Sequence, residues 1–80
     1  MNPELKNITT RKIISVLESD GFQLARSKGS HRIYQHPDGR FVLVAFHRSG
    51  ATFPPKTLQS IIKAAQWTEY DLQRLRLIKS

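Results

Sequence analysis

Three histidines, His31, His36 and His47, are the residues whose chemistry is most open to use. An imidazole titrates near neutral pH, gives or takes a proton, and ligates metals. Their setting does not suit a metal. There is no His-x-x-x-His pair on a helical stretch, no cysteine, and between them only Asp38 as a carboxylate. No metal and no cofactor is therefore expected. Serine nucleophile chemistry lacks its Gly-x-Ser-x-Gly elbow, and no phosphate-cradling glycine pattern occurs. What remains is His31 within Arg26-Ser27-Lys28-Gly29-Ser30-His31-Arg32. RNA carries its own nucleophile, the 2′-hydroxyl. Cleaving it takes a base for the 2′ proton, an acid for the 5′ leaving oxygen, and cations to stabilise the charged phosphorane. A histidine on a basic turn supplies much of that. On residue chemistry alone a second reading stands beside it, the commoner one: a strand-edge histidine hydrogen-bonded to backbone.

Charge points the same way. Thirteen Lys and Arg against six Asp and Glu give +7 and a pI near 10.4. Between Gln23 and Lys56 lie six cations (Arg26, Lys28, Arg32, Arg40, Arg48 and Lys56) opposed only by Asp38, so +5 of the total falls in the middle of the chain. A basic stripe on a compact domain is the footprint of a polyanion binder, and nucleic acid is the commonest polyanion. An acidic protein partner would suit the same charge.

These residues have to be positioned by a small number of elements. Thr9 or Thr10 can cap a helix whose apolar face is Ile13, Ile14, Val16 and Leu17, with Gly21 as its C′ residue. Phe22 and Leu24 alternating with Gln23 and Ala25 predict a strand ending near Ser27. Lys28-Gly29-Ser30 reads as a turn, His31 to Gln35 as a second strand, and His36-Pro37-Asp38-Gly39 as a hairpin turn. Arg40 to Phe46 is nearly all apolar and is expected to be the central or best-covered strand. Pro54 or Pro55 opens a helix burying Leu58, Ile61, Ile62 and Ala65. Thr68 and Asp71 have capping-box spacing, with Trp67 and Leu72 as a hydrophobic staple. Leu75 and Ile78 extend that last helix. The result is one α+β domain in the order α-β-β-β-α(-α), a three-stranded antiparallel sheet with helices on one face and the other left open.

At 80 residues and 39% hydrophobic the chain supports a single small core. Its longest apolar run, Phe41 to Phe46, is far too short to cross a bilayer, and no signal-peptide pattern opens the sequence. The absence of cysteine fits a reducing compartment. Cytoplasmic localisation without a membrane is the expectation.

Leu24-Ala25-Arg26-Ser27-Lys28-Gly29-Ser30-His31-Arg32-Ile33-Tyr34-Gln35-His36-Pro37 resembles the signature of the HicA toxins, in which a Lys-Gly-Ser-His turn precedes an aromatic-bearing strand. Asp20-Gly21-Phe22 is similar to that family's entry into its first strand. Val44-Ala45-Phe46-His47 lies where the family often has a Val-Pro-x-His-like strand end. The segment from Pro55 to Ala65 is similar to its helix after the sheet. Together these span about residues 10–72. The resemblance implies a double-stranded-RNA-binding-domain-like fold over 1–80, with 1–9 as an N-terminal extension and 68–80 as an extra C-terminal helix. It implies an endoribonuclease acting on mRNA without a metal, the toxin of a type II toxin–antitoxin module, neutralised by a HicB-like antitoxin. The chain departs from the pattern at Arg32, where the family often has a second histidine, at Lys56 in place of Gly, and at Ala45 in place of Pro.

On this reading His31 transfers protons, Gly29 shapes the turn so that RNA can approach, and Ser30 orients His31 or donates to phosphate. Lys28 and Arg32 stabilise phosphate charge, and Arg26 and Arg40 complete the RNA-binding set. His47 is a supporting acid or a structural residue. Tyr34 is a base-stacking residue or, more commonly for such a strand aromatic, part of the core. His36 is structural. The alternative is a non-catalytic RNA-binding module of the same fold, which would use the same cations without needing His31.

Overall fold

The computed structural model describes residues 5, 7–48 and 50–78. Most of the expected N-terminal extension (1–4 and 6) and the last two residues of the expected C-terminal helix lie outside them. The elements are α1 (Thr10–Ser19), β1 (Gln23–Lys28), β2 (His31–Gln35), β3 (Phe41–Ala45), α2 (Pro55–Ala65) and α3 (Glu69–Arg74). This is the expected α+β order, an open antiparallel sheet followed by helices.

Each helix starts on a side-chain or proline signal. Thr9 accepts from the Lys12 amide at 3.1 Å to open α1, and Pro55 occupies the first turn of α2. Thr68 and Asp71 form the reciprocal capping box of α3, with Trp67 and Leu72 both buried as its staple. The helix ends share one device. At each, an amide just past the cap reaches back to a carbonyl in the last turn: Phe22 to Leu17, Trp67 to Ile62, and Leu77 to Leu72. The preceding residue, Gly21, Gln66 or Arg76, takes positive φ. These are Schellman motifs, and each turns a buried apolar residue back onto the core. The last of them stops α3 at Arg74, earlier than expected. Leu75, Leu77 and Ile78 still fill the core, from a turn rather than a helix.

The strand order is β1-β2-β3, so β2 is central and β3 is an edge. Of the two expectations for the apolar third strand, central is corrected, while best-covered holds: β3 buries Val42 and Val44, β2 only Tyr34 and β1 nothing. Two short hairpins leave a meander no other order. Its apolar run is instead split between faces: Val42 and Val44 are buried, while Phe41 and Leu43 are exposed. With Tyr34 they set the covered side, where Phe22, Ile13, Leu17 and Leu58 complete a core that also takes in Leu5.

A buried acid knits the helices to the β2–β3 turn. Asp20, at the C-terminal end of α1, accepts from Arg74 Nη2 at 2.7 Å and from the Trp67 indole N–H at 2.9 Å, with Arg40 Nη1 at 3.5 Å. Burial pushes this carboxyl up, but the Trp67 and Arg74 hydrogen bonds and both guanidinium charges outweigh it. The pKa is lowered. Among the described residues no helix is long and apolar enough to cross a membrane.

Candidate functional site

The β1–β2 hairpin closes through two residues, Gly29 and Ser30, because Lys28 pairs directly with His31. Gly29 has φ 57 and Ser30 is not in the positive-φ region, the pattern of a type II′ turn. A Cβ at Gly29 would meet nothing within 4 Å, so glycine serves the backbone angle here and not a crowded contact. The Ser30 carbonyl accepts the Phe46 amide at 2.6 Å, which carries the β3 ladder on to the turn.

His31 opens the central strand with an exposed side chain. Tyr34, Val42 and Val44 point to the core, so by the two-residue period His31, Ile33 and Gln35 point to the open face, as do Phe41, Leu43 and Ala45. Among the described residues none holds the His31 ring by a hydrogen bond or ion pair. The backbone-bonded alternative therefore has no bond to support it.

The register of β1 shifts between Leu24 and Arg26, leaving Ala25 as a bulge. Before the shift Leu24 opposes Tyr34, on the covered side; after it Arg26 opposes Ile33 and Lys28 opposes His31. One extra residue thus re-aims both cations onto the face that carries His31. Across the sheet the open face reads in three rows: Lys28, His31 and Ala45; then Arg26, Ile33 and Leu43; then Gln23, Gln35 and Phe41. Imidazole and cations together can exchange a proton and neutralise phosphate.

The other expected site residues are placed differently. Arg32 lies on the covered side of β2, its guanidinium 3.8 Å over the Phe46 ring. Arg40 sits at the far end of the sheet, 17% exposed. It donates to the Ala65 carbonyl at 2.6 Å and to both Asp38 oxygens, at 3.1 and 2.8 Å. Those bonds, with the Arg40 backbone amide foremost, hold the Asp38 carboxyl below its usual range. His47 is exposed and lies two residues past Ala45, the partner of His31, so it is at the same end of the sheet. Tyr34 is 2% exposed and belongs to the core.

His36 has the structural place expected of it. Its Nδ1 accepts the Asp38 amide at 3.1 Å, so Nε2–H donates to the Asp20 carbonyl at 2.8 Å. A Cβ on Gly21 would come within 2.8 Å of that nitrogen, which keeps the position glycine. Among the described residues no group of three His, Asp or Glu side chains is gathered for a metal.

Sequence reasoning missed Phe41, Leu43, Gln23 and Gln35 on the open face. The alternation of β3 would have exposed the first two, but a strand of five apolar residues hides its own period. No curated protein matches the chain. The family described as HicA toxin of bacterial toxin-antitoxin matches residues 10–67. That match runs from the first residue of α1 through the whole sheet and α2 to Trp67, well over half of the 80 residues, and the chain belongs to the HicA toxin family.

Proposed function

We propose that this toxin is an endoribonuclease that cleaves mRNA, with His31 as the proton-transfer group. The observation that carries the reading is the row Lys28–His31, with Arg26 in the next row, on a sheet face that the helices leave open. In the proposed reaction the imidazole takes the 2′-hydroxyl proton and the 2′ oxygen attacks phosphorus. The bond to the 5′ oxygen breaks, and that oxygen receives a proton. The products are a 2′,3′-cyclic phosphate and a 5′-hydroxyl. One imidazole can serve both steps in turn, first as base and then, protonated, as acid; His47, exposed at the same end of the sheet, is the other candidate for the acid. Lys28 and Arg26 stabilise charge on the phosphorane.

Membership in a toxin–antitoxin family implies an antitoxin partner. A HicB-like antitoxin with an acidic surface would cover this face and block His31, and the pair would act in the cytoplasm.

His31→Ala tests the reading. The side chain is exposed, so its loss should change stability by no more than about 0.5 kcal/mol. Cleavage of RNA by purified protein should fall about 10²–10⁴-fold, the usual contribution of a positioned acid–base group. RNA affinity should survive on Arg26 and Lys28. Equal cleavage by the variant removes His31 from the chemistry. RNA bound but left intact by the wild-type chain gives the non-catalytic module.

A further inference from the structure

The row farthest from His31 has no part in that reaction, yet it is the least ordinary part of the surface. Phe41 is 63% exposed, on a strand whose other face is fully buried, and Gln35 and Gln23 stand beside it in direct register. At the Gln23 and Gln35 end of this row is a shallow depression of about 300 Å³, walled also by Leu24, the bulged Ala25, His36 and Pro37 but not by Phe41. That is the lower end of ligand-pocket size. Leu43, 55% exposed, and Ile33 carry the apolar surface from Phe41 towards His31, with Arg26 flanking them.

We propose that Phe41, Gln23 and Gln35 form a subsite for an unpaired nucleobase of the RNA whose backbone passes His31. The inference rests on the ribonuclease reading and extends it to how the substrate is held and selected. An exposed aromatic ring on the open face of a sheet offers a stacking surface to any base, because every base has a π-face. The two amides offer donors and acceptors to a base edge in the plane of such a stack. Four residues along the strand and one strand across put the subsite about 14 Å from His31. A dinucleoside phosphate seated at His31 falls short of it, whereas a longer strand reaches it across the row that holds Arg26. Arg26 in the intervening row and Lys28 beside His31 favour RNA, a polyanion, over an apolar protein segment as the occupant.

The experiment titrates single-stranded oligoribonucleotides of A, C, G or U into full-length protein carrying His31→Ala, which keeps the RNA intact. Phe41→Ala should weaken binding about 5- to 150-fold, the loss seen when a base-stacking aromatic is removed. Phe41→Trp should retain affinity, and its fluorescence should be quenched on saturation, because the only other tryptophan, Trp67, is buried. Replacing Gln23 and Gln35 by Ala should narrow the spread among the four bases.

Unchanged affinity for Phe41→Ala, with wild-type cleavage still dependent on His31, overturns the subsite and leaves the ribonuclease reading standing. No RNA binding by any form overturns both. Fluorescence of the Phe41→Trp variant that responds to the antitoxin but not to RNA assigns the patch to protein docking and also overturns the subsite.

Discussion

Replacing Arg26 and Lys28 together by glutamine isolates what the bulge in β1 delivers. Both side chains are exposed on an edge strand, so the fold should barely register their loss, within about 0.5 kcal/mol for each. RNA affinity should register it through salt. Each phosphate neutralised on a single strand adds about 0.7 to the slope of log affinity against log salt. Two cations withdrawn should flatten the slope by about 1.4. Over the fourfold range from about 50 to 200 mM that exponent is about a sevenfold change, so the gap between parent and variant should narrow about sevenfold as salt rises. Fluorescence anisotropy of a labelled single-stranded RNA, measured in a His31→Ala background, reads this directly.

Arg40→Gln is the matched control. Its guanidinium is held by Ala65, Asp38 and Asp20 at the far end of the sheet. That variant should lower the thermal midpoint and leave the slope unchanged. The refuting result is an Arg26→Gln/Lys28→Gln protein, folded as the parent is, whose salt slope is indistinguishable from it. The phosphates would then run over some other surface.

Two further outcomes follow from the fold. Asp20 has a folded pKa below its ordinary 3.8, so its contribution is complete above that value and is lost as pH falls through the folded pKa. Denaturant midpoints should therefore drop on the acid side, and Asp20→Asn should lower stability at neutral pH by about 2 kcal/mol and flatten that acid limb. The figure is less than the roughly 3–5 kcal/mol of a fully buried pair because Arg74 remains 40% exposed. Deleting Ala25 removes the bulge while keeping Leu24 opposite Tyr34 and Lys28 opposite His31. RNA cleavage should stay within a few-fold of the parent, and a folded but inactive deletion would make the local bend itself part of the site.

Much of this molecule was legible because its signals are local. The Thr9 cap, the Thr68–Asp71 box, the Pro55 start and the two hairpin turns are each set by residues within a few positions of one another. What escaped depended on distant partners. Gly21 announces the end of α1, but Gln66 and Arg76 take the same left-handed position without glycine. The burial of Trp67 and Leu77 against the core, with the backbone hydrogen bonds of the two helix ends, offsets that strain, and no propensity shows it. Arg40 reads in sequence as one more cation of a basic stripe. Its commitment to Asp20 and Ala65 bridges 20 and 25 residues, beyond any periodic pattern. Arg32 was expected beside His31, yet adjacent residues of a strand face opposite sides, and this one stacks on Phe46.

The bulge is the instructive case, because two valid local rules disagree across it. Counting forward by twos from the apolar Phe22 and Leu24 puts Arg26 and Lys28 on the covered side. Counting back through the two-residue turn starts from Tyr34 in the core, which places His31 outside and Lys28 opposite it, outside as well. Both counts cannot hold in a regular ladder. An arginine turned inward would oppose Arg32, a like-charge pair on the face that must pack against helices. One residue absorbed between Leu24 and Arg26 resolves the conflict, and Ala25, the smallest side chain in the strand, sits where it is absorbed. A clash of parity between a strand's apolar pattern and its turn is thus itself a readable signal. Here it marks the point at which an edge strand, exposed along its whole length, turns its cations from the parity of Tyr34 to that of His31.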